Sequence, residues 1–164
     1  MNREETVVIC IGSDRVSGDM LGPLVGSELR EKYRLPCPVY GWVGASVNGV
    51  NLGEYLDLLR ERHAGSRVIA VDAALGREED VGDVRLKKGG IRAGGAMEKE
   101  GRPVGDLGVV GVVARERAPR EVYAALLEVP FDFVEALASR IARVLYEALD
   151  LSSDASMVSE PRGS

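Results

Sequence analysis

The sequence predicts an α/β protein built on a mostly parallel sheet between two helical layers. Apolar, β-branched runs at residues 6–11, 67–71 and 104–113 have strand character. Amphipathic helical patterns separate them, and strands alternating with helices build sandwiches of this kind. The first and third strands each lead to a carboxylate, Asp19 and Asp72. Parallel strands ending side by side would bring both acids to the edge where open α/β sheets keep their ligand sites.

Residues 6–11 read as a buried strand stopped by Gly12, followed by a polar loop over 13–18. Asp19 is placed to cap a helix with Pro23 in its first turn and Leu21, Leu24, Val25 and Leu29 on its apolar face. Pro36 and Pro38 close this unit, and 39–43 form a short second strand. Leu52, Tyr55, Leu56 and Leu59 recur at helical spacing, which gives a helix over 51–63. Its basic end, with Arg60, Arg62 and His63, complements the helix dipole.

Residues 67–71 are the third strand, with Asp72 as its stop. Alternation over 81–87 fits a half-exposed strand. The glycine-rich and charged stretch 89–103 is expected to be a long loop acting as a lid. Residues 104–113 resume buried-strand character. Residues 122–129 have β-branched ends and a helix-favouring centre; they are expected as a strand, because Pro130 then opens a long helix over 131–149. That helix carries a stripe of Val134, Leu137, Ile141, Val144, Leu145 and Ala148. The Ser-rich stretch 151–164 is expected as a disordered tail, which leaves residues 1–150 as a single domain.

Composition narrows the function. The 26 acids against 21 bases argue against nucleic acid as a direct partner, which would require clustered Lys and Arg. With one histidine and two cysteines, a His-based triad, a zinc site and a disulfide framework are all excluded. Cys10, inside the first strand, reads as a small core residue. No signal-peptide core and no run near the ~20 apolar residues of a membrane span is present, so the expected compartment is cytoplasmic, with no membrane partner. The Gly12–Gly22 pattern is not a dinucleotide fingerprint, and no P-loop lysine follows it.

Two carboxylates at one site raise each other's proton affinity, so that one can act as acid while the other acts as base. Asp19 and Asp72 are therefore the candidate catalytic pair. Each also has a plainer reading, Asp19 as a helix cap and Asp72 as a turn former. Asp14 supplies a third acid in the same loop. No metal and no cofactor is expected.

The run Ile11-Gly-Ser-Asp-Arg-Val-Ser-Gly-Asp-Met-Leu-Gly-Pro-Leu-Val-Gly26 resembles the opening motif of the YyaC-type sporulation proteins, described as spore proteases. Val39-Tyr-Gly41, Val50-Asn-Leu52, Ile69-Ala-Val-Asp-Ala73 and Pro103-Val-Gly-Asp106 match in the same order, so the similarity covers about residues 5–149. That family resembles in turn the germination protease of spore formers and, more distantly, the hydrogenase maturation endopeptidases. The resemblance implies a phosphorylase/hydrolase-like three-layer α/β/α sandwich. It also implies two essential aspartates, matching Asp19-Met-Leu-Gly-Pro23 and Val71-Asp72-Ala73. The maturation enzymes carry acidic nickel ligands at these two points together with a histidine that has no match here. Where YyaC-type sequences tend to have histidines, this chain reads Asn48 and Gly108.

The expected function is thus an aspartic-type endopeptidase of spore proteins, in the forespore or spore interior. Asp19 and Asp72 would be catalytic, and Gly12, Asp14 and Asn48 would contribute to substrate binding. The expected partner is a protein substrate, with small acid-soluble spore proteins as candidates; a homo-oligomer is compatible with the sequence. The alternatives are a non-catalytic binding or regulatory protein on the same fold, and a metal-dependent processing endopeptidase.

Overall fold

Alternation along the first strand, β1 (Thr6–Cys10), divides the molecule into layers. Val8 and Cys10 enter one apolar core, and Val7 and Ile9 enter a second on the opposite face. The computed structural model describes residues 5–92 and 103–158, with side chains as far as Asp150. In it, β1 pairs in parallel with β2 (Val39–Tyr40) on one side and β3 (Arg67–Gly76) on the other. β3 also pairs in parallel with β5 (Leu107–Arg115), and β4 (Val84–Lys88) is an antiparallel edge strand. The sheet order is β2-β1-β3-β5-β4.

α1 (Leu21–Ser27) continues through a π turn at Glu28–Lys32 and lies with α4 (Phe131–Val158) on the face of Val8 and Cys10. α2 (Leu52–Arg62) covers the other face through Leu52 and Leu59. The result is the expected three-layer α/β/α sandwich with a mostly parallel sheet. Gly22 sets α1 directly on β1, since a Cβ there would overlap the Ile11 carbonyl oxygen. The chain steps from β1 to β2 by way of α1, then returns over the opposite face through α2 to β3. Connections therefore diverge between β1 and β3, which is the topological switch point of the sheet.

Several expected elements differ. β2 ends at Tyr40 rather than continuing to residue 43, because Trp42 and Ala45 exchange backbone hydrogen bonds in a tight turn. β3 does not stop at Val71: β5 accompanies it as far as Gly76, so the backbone keeps a partner after β1 has ended. Residues 122–129 are not a strand. Val122–Glu128 forms the helix α3, behind a 3-10 turn opened by Pro119. Its Ala-Ala-Leu-Leu centre has good helix propensity, and β-branched ends favour a strand only where a sheet edge can receive them.

α4 runs to Val158, so residues 151–158, expected as part of a disordered tail, have helical backbone. Residues 159–164 lie outside the described residues. On α4, Val134, Leu137, Ile141 and Leu145 are buried as expected, but Val144 is 58% exposed, and Ala138 and Ala142 complete the packed stripe instead. The strand expected over 81–87 begins at Val84. Residues 93–102, most of the expected lid, are outside the described residues.

Candidate active site

β1 ends where the Ile11 amide donates to the Val71 carbonyl at 2.7 Å and the Gly12 amide donates to the Val47 carbonyl at 2.8 Å. Asp72 is the next residue after Val71. It stands in mid-strand, at the level where β3 loses β1 as a neighbour but keeps β5, opposite Val110. Asp72 thus lies at the switch point without terminating its strand.

Asp19 arrives from the β1 side. The chain turns back through residues 12–16 into a 3-10 turn at Ser17–Asp19. The Ser13 amide donates to the Asp19 carbonyl at 3.0 Å, and the Asp19 amide donates to the Val16 carbonyl at 3.0 Å. Gly12 makes this fold-back possible, since a Cβ there would overlap the Asp19 carbonyl oxygen. The Ser17 hydroxyl donates to the Val129 carbonyl at 2.6 Å, with the Leu126 carbonyl at 3.2 Å, and so ties the turn to the end of α3. The helix-cap reading of Asp19 does not hold. The N-cap of α1 is Met20, and no side chain caps that helix.

Both carboxyls are perturbed in the same direction. Burial pushes Asp19 up to about 6, opposed by a backbone hydrogen bond from Ser13. Burial raises Asp72 well above the ordinary carboxyl range, and the charge of Asp19 raises it further. A hydrogen bond from the Ala73 amide, at 2.8 Å, works against both. Repulsion between two carboxylates is mutual, so they titrate as a pair, and the more accessible first ionisation falls on Asp19. Burial and mutual repulsion thus both oppose ionising the two carboxyls together.

Asp72 also lines an open cleft of about 580 Å³ on the α2 face of the sheet. Ala73, Ala74, Ile91 and Val110 form its apolar part, and Lys87, Lys88 and Arg92 line its basic part. Across the sheet, Asp72, Val110 and Arg85 share one row, and Ala70, Gly108 and Lys87 share the adjacent row. Lys87 therefore stands on the same face as Asp72. The sequence reading missed these cations because it placed Lys87 on a half-exposed strand and Arg92 in the expected lid. The Lys-Lys-Gly-Gly ending of β4 was the available signal.

The other expected site residues brace the rim of the site. Asp14 accepts a hydrogen bond from the Gly44 amide at 2.9 Å, joining two loops. Asn48 follows Val47, which bridges to Ile11, and so reaches the same sheet edge as Gly12. Its Oδ1 accepts from the Val50 amide at 3.0 Å, and its Nδ2 donates to the Ser46 hydroxyl at 3.1 Å. His63 is elsewhere. Its Nε2 lies 2.7 Å from the Tyr40 hydroxyl, and its Nδ1 lies 3.5 Å from a carboxylate oxygen of Glu5, just ahead of β1. That is the opposite sheet edge from Asp19. Among the described residues, no third His, Cys, Asp or Glu joins the two acids as a ligand set. The residues present do not fit the acid-and-histidine nickel site, and no step is routed through a metal.

A family model described as "Protein of unknown function (DUF1256)" matches residues 1–144. The chain belongs to the DUF1256 family. It is also 40% identical over 107 residues to the uncharacterized protein YyaC of Bacillus subtilis (strain 168), as the opening motif led one to expect. That match covers 65% of this chain and 52% of YyaC, so the chain spans about half the length of this curated relative. Among solved structures, the NiFe hydrogenase maturation protease HycI from Thermococcus kodakarensis KOD1 is similar, with a TM-score of 0.57 and 18% identity, covering 90% of this chain and 93% of HycI. A peptidyl-tRNA hydrolase from Acinetobacter baumannii has a TM-score of 0.55 and 13% identity, covering 94% of this chain and 91% of its own. At such identities the likeness is one of fold. No helix among the described residues is long and apolar enough to cross a membrane.

Proposed function

We propose that this DUF1256 protein is an aspartic-type peptidase that uses Asp19 and Asp72 as a coupled acid pair. The observation that carries the reading is the meeting of two partly buried carboxyls at the sheet switch point, one of which raises the proton affinity of the other. Asp19, pushed up to about 6, would be the member that ionises, while burial and the Asp19 charge both favour the protonated form of Asp72. Asp19 would take a proton from water as the water attacks the scissile carbonyl, and Asp72 would donate its proton to the amide. The apolar walls at Ala74 and Val110 favour the protonated form of Asp72 until substrate arrives.

The resemblance of the opening motif to the YyaC-type sporulation proteins makes proteins of the developing or germinating spore the substrates to try first, in the forespore or spore interior. Gly12 would serve by keeping the Asp19 turn close, and Asp14 and Asn48 by holding the loops that border the bound chain. The test is cleavage of small acid-soluble spore proteins by wild type and by Asp19→Asn, read by mass spectrometry of the fragments. Defined cuts made by wild type and lost in the variant support the reading. A folded wild type that binds these proteins without cutting them would instead make the chain a binding protein on a peptidase-like fold.

A further inference from the structure

The cleft beside Asp72 has a charge opposite to that of the protein around it. The chain carries a net charge of -5, yet the described cleft wall holds Lys87, Lys88 and Arg92 and no acid besides Asp72. Neighbouring cations are already paired: Arg85 lies 2.8 Å from Asp80, and Arg77 lies 3.0 Å from the same carboxylate. Lys87, Lys88 and Arg92 make no ion pair among the described residues. Nor are they among the charges that act on Asp72, which are confined to Asp19. Among the described residues their charge is therefore not used up in neutralising the acid pair, and a cationic wall of this kind attracts an anionic ligand.

The backbone indicates the form of that ligand. β4 is the last strand of the sheet, all five of its residues are exposed, and no described strand pairs with its outer edge. An open edge running into a cleft suits a chain in extended conformation, which can hydrogen-bond along the edge while its side chains reach the rim. Taken together, these features lead us to propose that the cleft selects extended peptide segments bearing carboxylate side chains, read by Lys87, Lys88 and Arg92. The proposal deepens the peptidase reading by naming its substrate class, but the binding preference stands apart from catalysis.

The test selects a random peptide library against the Asp72→Asn protein, which retains the three cations. Bound peptides are expected to be enriched in Asp and Glu, with the enrichment shrinking as salt is raised. The double variant Lys87→Glu/Lys88→Glu is expected to bind the selected peptides about tenfold more weakly. Lys87→Gln/Lys88→Gln provides a milder second variant, and circular dichroism checks the fold of both. Selection of peptides with no acidic preference, or an unchanged composition after charge reversal, would overturn the proposal. Cleavage of the selected peptides by wild type is scored separately. Acidic peptides that bind but are never cut remove the peptidase reading and leave the acid-selective cleft standing, whereas cut peptides of neutral composition do the reverse.

Discussion

The charge of Asp19 acts on Asp72 and, after burial, is the second cause that raises the proton affinity of the Asp72 carboxyl. The two residues lie far apart in sequence and on different elements. One sits in a 3-10 turn behind β1 and the other sits within β3, and the sheet switch point brings them together. A pair so placed has consequences for pH dependence, for stability and for the loops that support it.

Activity should follow a bell-shaped pH profile. The acid limb should fall near 6, where Asp19 gains its proton, and the alkaline limb should mark the loss of the Asp72 proton, which burial and the Asp19 charge both resist. Asp72→Asn should lower kcat by a factor on the order of 10² or more, the range attributed to a positioned proton donor. Steady-state kinetics across pH on a cleaved peptide checks both; a profile flat between about pH 5 and 7 would remove Asp19 as the base.

Raised carboxyls cost stability, and the sign is opposite to that of a salt-bridged acid. Folded Asp19 keeps its proton up to about 6, whereas the ordinary carboxyl releases it near 3.8. Between these values the folded state binds more protons than the unfolded chain, so stability falls as pH rises through the window. Asp19→Asn is therefore expected to be more stable than wild type at neutral pH. A gain of about 1 kcal/mol is expected, smaller than the raw shift because the side chain is partly exposed. Urea unfolding at about pH 7.5 and again below about pH 4 measures it, and the gain should vanish at the lower pH.

Ser17 holds the Asp19 turn against α3 through its hydrogen bond to Val129. Ser17→Ala leaves carbonyls at the end of that helix without this donor, and should cost about 1 kcal/mol. Its sharper signature should be a shift of the acid limb of the pH profile, because a looser turn hydrates Asp19 and lowers its pKa. An unchanged profile with lowered stability would reduce Ser17 to a purely structural role.

His63→Ala separates the acid pair from a histidine-assisted mechanism. The variant should keep wild-type kcat/KM, because His63 bonds to Tyr40 and faces Glu5 at the far sheet edge. Loss of that partly buried hydrogen bond should lower stability by about 1 kcal/mol, which thermal unfolding would report.

Much of this was legible in the sequence where local pattern and tertiary environment agreed. Residues 7–11 are apolar throughout because β1 is covered on both faces, and the helix over 51–63 is amphipathic because α2 has only one covered face. The pattern misled where a partner strand decided the outcome. Asp72 looked like a strand terminus because its apolar run ends there, but β5 carries β3 onward to Gly76. Residues 122–129 looked like a strand because their β-branched ends were weighed above the helix-favouring Ala-Ala-Leu-Leu centre. The cap reading of Asp19 was locally sound, and only the 3-10 turn at Ser17–Asp19 moved the start of the helix to Met20. That Asp19 and Asp72 meet was legible because the order of β1 and β3 in the sheet brings their ends together. The basic rim was not, because it depends on which face of β4 meets the cleft.

The most direct test of the coupled pair needs no substrate. Carbon-13 NMR titration of the Asp19 and Asp72 carboxyls in wild type should show Asp19 near 6 and Asp72 titrating well above the ordinary 3.8. In Asp19→Asn, the Asp72 titration should move down as the neighbouring charge is removed. Two carboxyls that both titrate near the ordinary 3.8, or an Asp72 indifferent to the loss of Asp19, would contradict the account.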